Sequence, residues 1–467
     1  MSDVCIVYSS ENVETARILD TRLSPLWNVW WDDKLVGRFP QVIERELTNS
    51  KCILPVWSSA ARESDMVRDE LSLAKRHGIE LIPVRIEDCA APYGFGSYSA
   101  VDLRGWKGES DHPGFQQLLR RLASVVPPGA RPRRPPAIAG GKISLPALFL
   151  SVSSHETQLV PAEAVKALRL FRTPAILISA YDVVPARCPP GMARQLSRFR
   201  AQGGFVLVDS GNYEASRRGD EHWSPDDLKV ALADAPHDWA FCFDVMKPSR
   251  NPSKAVDRIV AAVERDRNST SAPVLPIVHA RRIGASGFNL EEVPAIIRAV
   301  ADRLQPPLVA IPERELGPGL ITRAQTVRRI RGELDKLPFY QPLHLLGTGN
   351  PWSIAVLAAA GADSFDGLEW CRVVVDRNSD RLHHFQHFDF FGYQAQLADS
   401  PVTVGAVDDE SVDFAGKVVF HNLDYYAEFS TKLRQAAAKG DFEAFVMGVL
   451  GKANAAQLTK RMPELFK

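Results

Sequence analysis

Eight short apolar segments recur through the second part of the chain at nearly constant spacing, and this recurrence restricts the fold more than any other feature. They begin near Ala147 (ALFLSVS), Ala175 (AILISA), Phe205 (FVLVDSG), Trp239 (WAFCFDV), Val274 (VLPIVHA), Pro307 (PLVAIPE), Pro342 (PLHLLGT) and Ala362 (ADSFDGL), at intervals of 28, 30, 34, 35, 33, 35 and 20 residues. Eight strands with mostly helical connections of this length are what a (β/α)8 barrel requires. Polar residues gather at the carboxyl ends of the segments: Asp209, Asp244, His279, Glu313, Thr348 and Asp366. That is the rim where barrels of this kind build their sites. The plainer alternative is that each aspartate caps the helix that follows.

Upstream, the stretch Pro127 to Lys142 (PPGARPRRPPAIAGGK) holds five prolines and three glycines, which would interrupt a helix or a central strand. It reads as a linker between residues 1–126 and a barrel over 143–435, with a helical tail at 436–467. Its Arg131, Arg133 and Arg134 could touch phosphate, but three arginines are a weak footprint and a solvated linker is the favoured reading. Within the first 126 residues, apolar runs (DVCIVY, NVWW, KCILPVW, ELIPVRI) alternate with helical patterns (ENVETARILDTRL, FPQVIERELTN, ESDMVRDELSLAKRHG). Such alternation gives an α/β domain with a parallel sheet covered on both faces.

The 467 residues carry 56 basic and 56 acidic side chains, so bulk charge selects neither polyanion nor polycation as partner. Six cysteines lie without a C-x-x-C or C-x-C pair, against both a disulfide framework and a closed zinc site. The start MSDVCIVYSS runs directly into a strand pattern, and nowhere do 18 apolar residues follow one another. The expectation is a reduced, cytoplasmic protein with no membrane partner.

The first domain resembles a bacterial TIR (Toll/interleukin-1 receptor type) domain over about residues 3–125. The carriers are VCIVYSSEN, the VWWDDKLVGRF segment at the position of the BB loop, IERELTNSKCILPVWS, SDMVRDEL, LIPVRIED and DLRGW, in that order. The resemblance implies a flavodoxin-like sheet and, where such domains are enzymes, cleavage of the nicotinamide N-glycosidic bond of NAD+. Nicotinamide is cationic in NAD+ and leaves neutral, so the site needs a negative group beside the developing oxocarbenium ion rather than a general acid. Glu70 matches the family's catalytic glutamate. Val67, Leu71 and Ala74 form the buried stripe of its helix, leaving Glu70 at the stripe's edge. The plain reading, a surface acid paired with Lys75 or Arg68, is outweighed by the motif, although Met66 stands where the family commonly has tryptophan. NAD-binding roles would fall to Tyr8 and Ser9 after the first strand and to Trp31, Asp32, Asp33 and Gly37 at the BB loop. Core packing is the other reading of Trp30 and Trp31, and it is expected for at least one of them. The family implies homo-oligomers through TIR–TIR contacts.

The barrel is similar to tRNA-guanine transglycosylases and their DNA-modifying relatives over about residues 145–435. VLVDSGNYE, AFCFDVMKPS, HLLGTGNPWSIAVLAAAGADSFDGLEWCR and FHNLDYY carry the likeness. It implies Asp366 as nucleophile on the ribose C1′, Asp209 as general acid/base and Asp244 as a contact to the base edge. A carboxylate suits this chemistry because it can form and release a glycosyl ester. Two departures stand out. His279-Ala280 replaces Gln-Gly, and Pro312, Glu313 and Arg314 replace a glycine-rich stretch, so the base pocket differs. His421 occupies the histidine position of the family's zinc site without preceding cysteines, so no metal is expected and His421 reads as a packed histidine.

Two functions follow. In the first, the chain is an NAD+-consuming effector of anti-phage defence, with NAD+ as substrate, no resident cofactor, and a barrel that senses a nucleobase, nucleotide or nucleic acid through Asp209, Asp244, His279, Glu313 and Asp366. In the second, the barrel exchanges a guanine-type base in DNA or RNA, with Asp366 as nucleophile and the TIR domain as an assembly module.

Overall fold

In the computed structural model, β1 (Val4–Val7) is buried along its whole length, and its side chains alternate between two cores. The structure describes residues 2–24, 26–27, 29–31, 40–127, 134–155, 157–284, 287–337, 339–398 and 400–466. Asp32, Asp33, Gly37, Arg131 and Arg133 lie outside the described residues. The chain divides into two units, Met1–Arg134 with Asp335–Tyr340, and Pro135–Leu334 with Gln341–Lys467.

In the first unit, β1 pairs in parallel with β2 (Val29–Trp30) on one side and β3 (Cys52–Trp57) on the other. β4 (Glu80–Leu81) and β5 (Val84–Arg85) both run along β3, and β6 (Val101–Asp102) follows β5. β4 and β5 are one line of chain broken at Pro83, which has no N–H to donate; Ile82 still donates to the Ile53 carbonyl at 2.9 Å. The resulting order, β2-β1-β3-β5-β6 with β4 on β3, is the flavodoxin-like one.

Because successive strand residues face opposite sides, Val4, Ile6, Leu54 and Val56 pack with Leu19, Leu23, Leu118 and Leu122 from helices Val13–Leu23 and Pro113–Val125. Cys5, Val7 and Ile53 pack on the other face with Leu47 of helix Pro40–Asn49 and with Val67, Leu71 and Ala74 of helix Asp65–Arg76. Continuous apolar runs such as VCIV and CILPVW are therefore the signature of a sheet buried on both faces.

The second unit opens with an antiparallel hairpin of β7 (Ala137–Ile138) and β8 (Ile143–Ser144), whose first strand and turn fall inside the stretch that reads as linker. Its turn is made by Gly140 and Gly141 at φ 63 and 88, a region open to glycine. Ile143 and Leu145 join the barrel interior with Phe149, Leu177, Leu207 and Phe241.

The barrel strands are β9 (Ala147–Val152), β10 (Ala175–Ser179), β11 (Phe205–Asp209), β12 (Trp239–Phe241) and β13 (Val274–Leu275). After a small hairpin of β14 (Arg282–Ile283) and β15 (Gly287–Phe288) come β16 (Val309–Pro312), β17 (Leu343–Leu346) and β18 (Ser364–Gly367). All eight are parallel, and β18 pairs back onto β9. The remaining seam between β13 and β16 is spanned by the bridge Ile277 to Ala310, so the barrel is nearly closed. The eight strands fall on the eight apolar segments of the sequence.

Beyond β18, the antiparallel pair β19 (Val373–Asp376) and β20 (Arg381–His384) packs against the long helix Phe414–Lys439. Asn422 of that helix fastens it by accepting the Val375 N–H at 3.0 Å and donating to the carbonyls of Trp370 and Val373.

Candidate functional site

In a sheet of order 2-1-3-4-5, the crevice beyond the carboxyl ends of β1 and β3 is the ligand position, because the connections leave those ends in opposite directions. Tyr8 and Ser9 follow β1 there, and Ser58 follows β3. The Ser58 hydroxyl accepts the Ala61 N–H at 3.0 Å and donates to Asn12 Oδ1 at 2.6 Å, tying the two strand ends together. Ser64 caps helix Asp65–Arg76 by accepting the Val67 N–H, which fixes the rotation of the helix. Val67, Leu71 and Ala74 are then fully inside, Glu70 is half-buried at their edge, and Met66 is exposed.

Trp31 is buried in the core on the opposite face, its ring edge-on to Tyr8 with centroids 5.8 Å apart. The sheet thus lies between the Tyr8–Trp31 pair and the helix of Glu70, while Ser9 and Ser58 sit at the strand ends. Trp57, at the end of β3 on the Glu70 side, has a buried indole N–H with no partner among the described residues. Sequence reasoning overlooked this donor; its only signal is an amphipathic ring closing an otherwise aliphatic strand.

The barrel mouth gathers acids from separate strands. Asp366 of β18 accepts the Ser151 hydroxyl of β9 at 2.7 Å on one oxygen and the Gly347 N–H at 2.9 Å on the other. His344 of β17 contacts the same oxygen at 3.2 Å and Ser364 Oγ at 2.9 Å. Asp209, at the end of β11, accepts the Ser210 N–H at 2.6 Å. Burial, reinforced by the nearby carboxylates of Glu214, Asp244 and Asp366, pushes Asp209 well above the ordinary carboxylate range. Glu214 is itself raised by burial, although the hydroxyls of Ser153 and Ser179 donate to it at 2.7 and 2.6 Å.

Asp244, His279 and Glu315 form a buried chain. His279 bonds Asp244 at 2.7 Å through Nε2 and Glu315 at 3.0 Å through Nδ1. Burial opposes a charge on this ring, but the hydrogen bonds and charges of the two acids prevail and raise it to about 10. Burial likewise works against the Asp244 carboxylate, yet His279 holds it below its usual range. Asn212 donates to the other Asp244 oxygen. Glu313 is engaged by Arg323 at 2.8 Å. Glu369, just after β18, is raised to about 7 by burial, with Asp366 and Glu313 adding to the effect, and its Oε2 has no hydrogen-bond partner among the described residues.

The structure therefore brings Asp209, Asp244, His279, Glu313 and Asp366 to one end of the barrel. It adds Ser151 and Glu315, and also His344, Glu214 and Glu369, which lie within the transglycosylase-like segments although the resemblance assigns them no role. An acid raised above its ordinary range near an acid fixed by a hydroxyl, an imidazole and a backbone N–H is an arrangement in which proton transfer and nucleophilic attack can be divided between two carboxyl groups.

The zinc of transglycosylases does not fit here. His421 is wholly buried and its Nε2 donates to the Val375 carbonyl at 2.8 Å, and no group of metal-ligating residues occurs among the described residues. The hydrogen bonds of Asn422 and the apolar cluster of Val374, Phe385, Phe388 and Val418 hold this region instead. All six cysteines are free thiols, and among the described residues no helix is long and apolar enough to cross a membrane.

Residues 4–119 match the family model of the TIR domain. The tRNA-guanine(15) transglycosylase of Methanopyrus kandleri is 25% identical over 242 residues, which cover 50% of this chain and 50% of that protein. The chain thus spans about half the length of the curated relative it matches. It carries a TIR domain at residues 4–119, followed by a nearly closed parallel barrel in a region distantly similar to tRNA-guanine transglycosylase.

Proposed function

We propose that this protein is an NAD+ hydrolase in which Glu70 is the catalytic carboxylate and the barrel is a sensor of a nucleobase, nucleotide or nucleic acid. We take residues 1–126 as the hydrolase, 143–435 as the barrel and 436–467 as a helical tail. The observation that carries the reading is the half-buried Glu70 at the edge of the Val67–Leu71–Ala74 stripe, on the helix that follows the switch-point strand β3. A carboxylate so placed keeps its backbone rigid while its charge can face a ligand, as stabilisation of an oxocarbenium ion requires. Ser9 supplies a hydroxyl at the end of β1, suited to a ribose or phosphate group, while Ser58 braces the strand ends through Asn12 and Ala61. TIR–TIR self-association, a cytoplasmic setting and a role in anti-phage defence complete the proposal.

Nicotinamide release by the full-length protein, with and without lysate from phage-infected cells, is the test. Glu70→Gln keeps the shape of the side chain and is expected to lower release at least about 100-fold. Release that is undiminished by Glu70→Gln would overturn the assignment.

The Asp209 and Asp366 arrangement favours a second reading, base exchange in nucleic acid. It requires incorporation of labelled guanine or 7-deazaguanine that is lost in Asp366→Asn. Incorporation that survives this change removes Asp366 as nucleophile.

A further inference from the structure

A cavity of about 370 Å³ lies at the amino-terminal side of β9 and β10, between the outer face of β9 and helix Phe414–Lys439. Its lining includes Ala147 and Ala175, the first residues of their strands, whereas Asp366 and Asp209 stand at the carboxyl ends. The length of β9, at roughly 3.3 Å per residue, separates the two places. The volume falls within the ~300–1,000 Å³ typical of small-molecule sites.

Leu148, Leu150, Phe171 and Leu423 give the cavity apolar walls, and Lys142, Arg172 and Arg434 give it positive charge; among the described residues no carboxylate lines it. Lys142 is 3.8 Å from Asp238. Arg172 and Arg434 have no acidic partner among the described residues, and Arg434 is partly buried, donating only to Thr431 Oγ1 at 3.3 Å. Thr173, 7% exposed, also lines the cavity, and its Oγ1 is buried with no hydrogen-bond partner among the described residues.

The backbone supplies an independent observation. Helix Pro161–Leu170 ends in a turn where Thr173 N–H bonds the Leu168 carbonyl and Arg172 N–H bonds that of Arg169. Arg172 sits at φ 59, the left-handed position that glycine normally fills at such an end. A side chain there costs about 1–2 kcal/mol, and Arg172 is one of the residues that line the cavity.

We propose that this cavity is a binding site for a small organic phosphate monoester. Arg172 and Arg434 neutralise the dianion, and the apolar walls take its organic body. Two positive charges without acidic partners match a dianion better than a single carboxylate, and guanidinium forks suit phosphate oxygens. The site is separate from both Glu70 and the barrel mouth, so it stands whether or not either reading above holds.

The test is calorimetric titration of the full-length protein with phenyl phosphate and with AMP, using inorganic phosphate and adenosine for comparison. One site per chain is expected for at least one of the two esters, with weaker binding of inorganic phosphate and adenosine. Arg172→Gly suits the left-handed backbone and should leave folding intact while weakening the ester about tenfold; Arg434→Leu should do the same, and Asp366→Asn should change nothing. Failure of both esters to bind overturns the proposal. Equal binding in wild type and Arg172→Gly does so too, as does binding lost in Asp366→Asn but kept in the arginine variants.

Discussion

The buried chain Asp244–His279–Glu315 makes the stability of the barrel depend on alkaline pH. Replacing His279 by Gln, which is polar but uncharged, is the perturbation. In the folded protein the imidazolium persists to about 10 against an ordinary 6.5. The free energy equivalent to that difference is about 5 kcal/mol. Two charge-assisted hydrogen bonds, at 2.7 and 3.0 Å, lead independently to about 3–6 kcal/mol. Since the folded value is raised, the stabilisation is complete below pH 6.5 and is lost as pH climbs from there through about 10. A barrel of about 330 residues unfolds with an entropy near 0.7 kcal/mol per degree, so the full effect is roughly 7 °C in midpoint. Calorimetric scans of wild type and His279→Gln from pH 6 to 10 would show a gap that narrows by about that amount, while cysteine, tyrosine and lysine titrations are shared by both chains. A gap that stays constant across the range, or a His279 resonance titrating below pH 7, would refute the assignment of a charged ring.

Gly114→Ala would place a Cβ 1.8 Å from the Asp102 carbonyl oxygen at the start of helix Pro113–Val125, so the TIR domain should lose about 1–3 kcal/mol in urea unfolding. An unchanged urea midpoint would show that the helix can move off β6. Asn422→Leu strips partners from the Val375 N–H and from the carbonyls of Trp370 and Val373, and should cost the barrel about 2–5 kcal/mol by calorimetry, with amide exchange rising first at Val375.

The strands were legible because both sheets are covered on two faces, and burial on two faces writes itself as uninterrupted apolar runs. Spacing then identified the barrel, since the regular intervals leave room for a helix after each strand. Local backbone chemistry was harder to read. ELIPVRI looks like one strand, yet Pro83 splits its pairing with β3 into two short ladders. The proline-rich stretch before the barrel looks structureless, yet Ile138 and Ile143 pair across two glycines and pack on the interior. There, two apolar residues outweigh their punctuating neighbours because the end of the barrel gives them a surface to bury against.

Glu70 could be placed at the edge of its helix from the three-and-four spacing of Val67, Leu71 and Ala74 alone. The barrel mouth shows where such counting stops. Asp244 and His279 are 35 residues apart and follow neighbouring strands, so their nearness was accessible from strand order. Glu315 was not, because it meets His279 across the seam between β13 and β16, where only one bridge joins the strands. Glu369 lies within three residues of Asp366 in sequence and still had no signal: its unpaired oxygen follows from the close approach of Gly349 and Gly367, a tertiary fact.

The two ends of the barrel have opposite electrostatic character, and this separates what each can hold. At the carboxyl end, Asp209, Glu214 and Glu369 are all pushed upward, chiefly by burial, and the neighbouring acids add to it. Bringing a phosphate against that cluster would raise those acids further and cost free energy, whereas a neutral or cationic heterocycle can accept their protons or pair with their charge. At the amino end, Arg172 and Arg434 are cations without acidic partners among the described residues, and an anion is what relieves them. A phosphorylated ligand that entered the mouth base-first would keep its phosphate outside the acid ring, while the same phosphate would be drawn inward at the other cavity. On the two proposals made above, the mouth would take a base and the outer cavity a phosphate, and one nucleotide would occupy the two places in opposite orientations.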